Sequence, residues 1–379
     1  MSEYQYYEFQ AIDRPLTARE MGELRACSTR AHITSTSFSN DYAWGSFKGN
    51  EALWMEKYFD AFLYLANWGT HILQFRLPSG LLDLETARAY CAGTSVSARE
   101  KAGKVIIRFS SEDDAGDDWV EGSGQLAGLI AVRDGLLRGD LRALYLGWLL
   151  LAQTGELEDE DLEPPVPPGL GKLNAALEGM ADFLRIDCDL LQAASAGSRP
   201  LGDLGLDREA VRKWVQGLAA REKDDLIAGL VMEPEPTAIR ELHLRFLKEQ
   251  PLGHVPGAAG VRSVGMLLRM AEECAAERKG RKAEARARQQ AVKEQEAAIA
   301  REAHLDGLVG QEPRLWAEIE ALAATRQPKH YEQAVTLLND LRDMGFRSKA
   351  GDFPLRLEQF RLAHAQKPAL LKRLRLAGL

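Results

Sequence analysis

The densest run of side chains able to do chemistry is Glu112-Asp113-Asp114-Ala-Gly-Asp117-Asp118-Trp-Val-Glu121, with six carboxylates and no basic residue. Such oxygens are hard ligands of the kind a divalent cation takes. Their spacing lacks the alternating ligands and distal glutamate of a calcium loop, so they read first as a solvated, mutually repelling loop. The second reading is the site of a divalent-metal-dependent enzyme. The seven histidines, at 32, 71, 243, 254, 304, 330 and 364, show no ligand spacing. Cys27, Cys91, Cys188 and Cys274 lie too far apart in sequence for a zinc or redox pair, and read as reduced thiols. No Gly-x-Ser-x-Gly elbow occurs, and the glycines at 169–171 lack the strand-turn-helix setting of a dinucleotide loop. The sequence assigns no catalytic residue and no metal ligand, and no cofactor is expected.

Recognition is better represented. The segment Asn40-Asp-Tyr-Ala-Trp-Gly-Ser-Phe-Lys-Gly49 places Trp44, Phe47 and Lys48 among glycines, where backbone can approach a ligand closely. It reads either as a loop pinned to its domain by Trp44 and Phe47 or as a partner-binding loop. At the other end, from Phe346 onward, eight lysines and arginines face only Asp352 and Glu358. Lys372, Arg373 and Arg375 are the candidate partner contacts there, and an acidic protein surface is the preferred partner.

The elements that position these residues fall into two styles. Eighteen of the chain's aromatic residues lie in the first 120 positions. Strands are predicted over about 4–12, 31–38, 59–66, 71–77 and 104–109, with helices over about 17–28, 51–58 and 82–91. Thr17-Ala-Arg-Glu20 has the capping-box pattern, and Asn67-Trp68-Gly69-Thr70 marks a hairpin. The expected fold is an α+β N-terminal domain, a mainly antiparallel sheet with helices, followed by an all-α helical region. Tyr4, Tyr6 and Tyr64 would stack on bases if they stood on an open sheet face. The strands nearly lack interleaved arginine and lysine, which favours a core role.

Beyond 122 the chain reads as helices. Residues 123–154 form two, interrupted at Gly135 or Gly139. Glu156–Glu163 followed by Pro-Pro-Val-Pro-Pro-Gly reads as a stiff surface connection at a sub-domain boundary. One helix is predicted over 171–195, another opening at Asp207, and further ones over 222–232 and 237–248. From 263 to 305 runs a long helix or pair of helices, with no large apolar residue over 275–291 and without coiled-coil heptads. Helices then follow over the tail, with a break at Lys367-Pro368. The expected division is 1–122, 123–262, a charged connector 263–311, and a C-terminal helical domain 312–379 with a basic end.

The tail YEQAVTLLNDLRDM with RLEQFRLAHAQKPALLKRLRLAGL resembles the C-terminal segment of some bacterial SWIM-type zinc-finger proteins. The Cys-x-Cys pair of that finger does not occur in this chain, so its zinc ligands and DNA-binding role do not carry over. The opening YQYYEFQAIDRPLT through WGSFKG resembles an uncharacterised bacterial protein family.

Length, 27% charged residues and a formal charge of −8 fit a soluble globular chain and disfavour one whose whole surface grips nucleic acid. No stretch reaches the roughly 18 apolar residues of a membrane span, and the polar N-terminus does not read as a signal peptide. No membrane association and a cytoplasmic location are expected. The function expected is that of a non-catalytic protein-interaction or scaffold protein of a bacterial multi-protein system. The alternatives are nucleic-acid binding through the basic C-terminal helices and the metal-dependent enzyme above.

Overall fold

A computed structural model describes residues 4–43, 45, 47–113, 122–201, 208–232, 236–250, 261–348 and 352–379. The chain divides into two compact units, Met1–Arg278 and Lys279–Leu379. The first is α+β and the second is helical.

The first unit is built on a seven-stranded antiparallel sheet. In chain order the strands are β1 (Gln5–Gln10), β2 (His32–Ile33), β3 (Ser37–Tyr42), β4 (Ala61–Ala66), β5 (His71–Pro78), β6 (Val96–Lys101) and β7 (Lys104–Ser111). Their spatial order is β2-β3-β1-β4-β5-β7-β6. The Thr17 capping box forms as expected and starts helix α1 (Ala18–Cys27). One strand expectation is corrected, and one strand was not expected. The segment 31–38 is a hairpin rather than one strand, because the Thr34 and Ser37 hydroxyls hydrogen-bond each other at 2.7 Å and turn the chain. The polar β6 has no apolar alternation to announce it. It pairs with β7 through a turn in which Ala102 and Gly103 both have positive φ, 50° and 71°.

Alternation along β4 puts Phe62, Tyr64 and Ala66 on one face and Ala61, Leu63 and Leu65 on the other, all buried. On the first face β1, β3 and β4 bring Phe9, Phe38 and Phe62 into register. Leu24 of α1 and Trp54 and Met55 of α2 (Glu51–Lys57) cover them. Tyr6 and Tyr64 lie on opposite faces and are both buried, so they offer no platform for stacking bases. A short helix α3 (Leu84–Arg88) follows β5.

The second face continues into the helices beyond position 122. Leu63, Leu73, Phe75, Ile107 and Phe109 share one core with α4 (Gln125–Leu137), α5 (Arg142–Gln153), α6 (Ala175–Phe183) and α7 (Cys188–Ser195). Position 122 therefore lies inside a core rather than between two. At Gly147 α5 comes so close to β7 that an added Cβ would sit 2.6 Å from the Phe109 ring. The α4–α5 turn is made at Gly139, with φ 82°, while Gly135 stays within α4. The helix predicted over 171–195 is two. Arg185 takes a left-handed conformation, with φ 57°, and Asp187 then caps α7.

Buried charge ties these layers together. Asp60, 0% exposed, accepts from the Arg76 Nε and Nη2 at 3.1 and 2.8 Å and from the backbone N–H groups of Ile12 and Asp13. The Arg133 guanidinium of α4, also 0% exposed, donates to the Arg76 carbonyl and the Asp13 carboxylate, each at 2.8 Å. Burial works to raise the Asp60 carboxyl, but Arg133, Arg76 and the two N–H bonds hold it below its ordinary value.

Glu163 corrects the reading of 156–171 as a surface connection. Its carboxylate is buried, bonds the Tyr145 hydroxyl, and pairs with Arg262 Nε and Nη2 at 2.8 and 2.5 Å. Arg262 also donates to the Ala193 and Ala194 carbonyls at 3.0 Å, so the proline segment is clamped onto α7.

Helices α8 (Arg208–Gly217), α9 (Ala220–Met232) and α10 (Pro236–Glu249) follow; the predicted cap Asp207 lies outside the described residues. Helix α11 (Val264–Leu308) is continuous, and its residues 281–300 are all exposed. In the second unit α12 (Glu312–Ala324), α13 (Pro328–Ser348), α14 (Asp352–Ala363) and α15 (Pro368–Leu376) enclose Ile319, Leu338, Phe360 and Leu370. No helix among the described residues is long and apolar enough to cross a membrane.

Removing one partner of a buried ion pair strands the other charge, at a cost of about 3–5 kcal/mol. Arg133→Met is expected to lower the unfolding free energy by about that amount, read by urea denaturation with circular dichroism. A loss below about 1 kcal/mol would show that Arg133 does not hold α4 to the sheet.

Candidate functional site

The structure offers two candidate regions, one in each unit. In the first unit a cavity of about 480 Å³ opens where the β4–β5 hairpin meets the α6–α7 junction. Gly69 shapes its sheet side: with φ 95°, it lies so near the Asp113 carbonyl that an added Cβ would be 1.9 Å from that oxygen. His71, at the start of β5, is buried and stacks on Phe183 of α6 with ring centroids 4.7 Å apart.

The imidazole is fixed at both nitrogens. Nδ1 lies 2.7 Å from the Phe183 carbonyl, which can only accept, so Nδ1 carries the proton. The neutral Nε2 then accepts from Arg185 Nη2 at 3.1 Å. Arg185 Nη1 donates to the Gly69 carbonyl at 2.8 Å and approaches the Ser111 hydroxyl at 3.5 Å. These bonds offset the cost of the left-handed backbone at Arg185 and tie the helical layer to the hairpin. Burial, with the adjacent guanidinium, lowers the His71 pKa from its ordinary value, against the opposing pull of the Phe183 carbonyl. Among the described residues no serine, threonine or cysteine side chain hydrogen-bonds this ring.

The second region is the basic end of the chain. Lys372 and Arg375 are exposed on α15 and have no carboxylate partner among the described residues. Arg373 is half-buried and approaches Glu332 at 3.4 Å. Leu376 on α15 is 79% exposed, one turn beyond Lys372. On α14, Leu355 and Leu362 are seven residues apart, on one face of the helix, and are 66% and 72% exposed. Sequence reasoning found the cations but not these leucines, since helical leucines are ordinarily read as core.

The remaining sequence candidates are placed as follows. Phe47 turns inward, stacked on Tyr7 at 4.7 Å and edge-on to Trp54 at 4.9 Å. Lys48 is exposed, and Trp44 lies outside the described residues. Of the carboxylate run, Glu112 and Asp113 are described, and 114–121 lie outside the described residues. Among the described residues the one grouping of metal-ligand atoms is Asp187, Cys188 and Asp189. Its carboxylates are already engaged: Asp187 caps α7, and Asp189 pairs with Arg278 at 2.6 Å.

No family model matches the chain, and no curated protein and no solved structure matches it.

His71 gives the first region a pH signature. A histidine whose folded pKa is lowered stabilises the fold fully above its unfolded pKa of about 6.5, and that contribution is lost as pH falls toward the folded value. The urea midpoint is expected to fall between pH 7 and pH 5, and to fall less in His71→Gln. Equal falls in the two proteins would remove His71 from the acid response.

Proposed function

We propose that the protein is a non-catalytic interaction protein that captures an acidic protein surface through its C-terminal helices. The observation that carries this reading is the coincidence of exposed leucines with cations that have no carboxylate partner among the described residues. Lys372 and Arg375 stand beside Leu376 on α15, and Arg361 stands beside Leu362 on α14. Exposed leucines are the apolar anchors that an interface desolvates, and such cations around them select an acidic partner and speed encounter. From Phe346 onward eight cations face two acids on a chain of charge −8, so this end is the attractive pole for such a partner. A phosphate backbone would engage the cations and leave the leucines exposed, which favours a protein over a nucleic acid.

The double variant Lys372→Glu, Arg375→Glu is expected to fold normally and to weaken partner capture about tenfold at about 150 mM salt, with the difference shrinking as salt rises. Nuclease-treated pull-downs with both proteins, followed by partner identification, read the effect. Submicromolar duplex binding in gel shifts, lost in the variant while protein capture persists, would replace this reading with nucleic-acid binding.

A further inference from the structure

The cavity in the first unit carries a second inference, independent of the C-terminal surface. Arg185 is an arginine at a left-handed position where glycine would be the unstrained choice, so something about its side chain has to outweigh the cost. Part of that is structural, through Gly69 and His71. A guanidinium has five N–H donors, and the three contacts to Gly69, Ser111 and His71 leave two unspent. The group is half-buried, lines the cavity, and has no salt bridge among the described residues. His71 cannot supply the missing negative charge, because it is neutral and accepts through a lone pair.

Two carboxylates share the lining. Asp113 stands on the sheet side, and Asp182 is exposed at the rim three residues before Arg185. A simple anion that satisfied Arg185 would also meet the Asp182 carboxylate, and a simple cation drawn to Asp182 would meet the guanidinium. The Gln125 side chain and the flat His71–Phe183 pair complete a wall that is part polar and part apolar. The volume of about 480 Å³ falls within the range of small-molecule sites.

We propose that this cavity binds a small zwitterion of the α-amino-acid type, its carboxylate on the free donors of Arg185 and its ammonium toward Asp182. Fixing Arg185 by Gly69 and His71 in advance lowers the ordering cost of binding, as a preformed site requires. The two charges of the ligand are taken up by separate side chains of one cavity, so an amino acid binds where either half alone does not.

The test is calorimetric titration of the full chain with each of the twenty amino acids, and with acetate and ethylammonium as single-charge controls. At least one amino acid is expected to bind one-to-one with a Kd below about 1 mM, with neither control binding at that level. NMR of the His71 imidazole places the ligand, since its resonances should move on titration. Asp182→Asn, at an exposed rim position, should keep the wild-type melting profile and weaken binding at least fivefold. Arg185→Lys, checked for folding in the same way, should weaken it further. Acetate or ethylammonium binding as tightly as the best amino acid would overturn the proposal. So would the absence of any amino acid binding below about 10 mM, or binding unchanged in a folded Asp182→Asn protein. The Lys372→Glu, Arg375→Glu variant should bind the amino acid as the wild type does, so the two readings fail separately.

Discussion

A sheet with two apolar faces has to be covered twice, and the first unit is arranged around that constraint. β4 buries every one of its side chains, three to a face, and water can be kept from both faces only by a layer on each side. The local helices α1 and α2 cover the aromatic face. The other face is wide and aliphatic, and it draws in the helices that follow position 122. That is why the aromatic-rich beginning and the leucine-rich middle of the chain are one compact unit despite their different compositions.

Hydrophobic cover fixes that the layers meet, but it leaves their alignment loose, because apolar contact has little direction. Buried charge supplies the direction. Arg133 reaches from α4 to the Arg76 carbonyl and Asp13, and Arg262 reaches from the segment before α11 to Glu163 and the α7 carbonyls. Each guanidinium can be satisfied in few positions, so each excludes sliding that leucines alone would tolerate. Arg185 does the same at the hairpin, and there it also leaves donors facing a cavity.

The two candidate regions follow from different physical situations. The cavity lies at the junction of sheet and helices, lined by an arginine, two aspartates and the His71–Phe183 pair. The C-terminal surface arises because α14 and α15 each carry leucines on more than one face and bury only one of those faces. Leu370 and Leu374 go into the core of the second unit, and Leu362 and Leu376 stay out.

Much of the fold was legible in the sequence wherever a side chain's neighbours along the chain decide its state. The capping box at Thr17, the dense strands at 61–66 and 71–78, the Asn67–Thr70 hairpin and the C-terminal cations all depend on local spacing and charge. Where the deciding partner is distant, the sequence was silent or misleading. Glu163 reads as a surface acid until Arg262, ninety-nine residues on, removes it from water. His71 had no ligand spacing because its partners, Phe183 and Arg185, lie more than a hundred residues away. The sequence by itself determined most helices and the apolar strands, and where charge accumulates, since those follow from short-range periodicity and composition; it missed the polar β6, the turn within 31–38 and the break at Arg185. Only the tertiary structure decided which polar groups meet, because pairing across a core depends on three-dimensional proximity that no local pattern encodes.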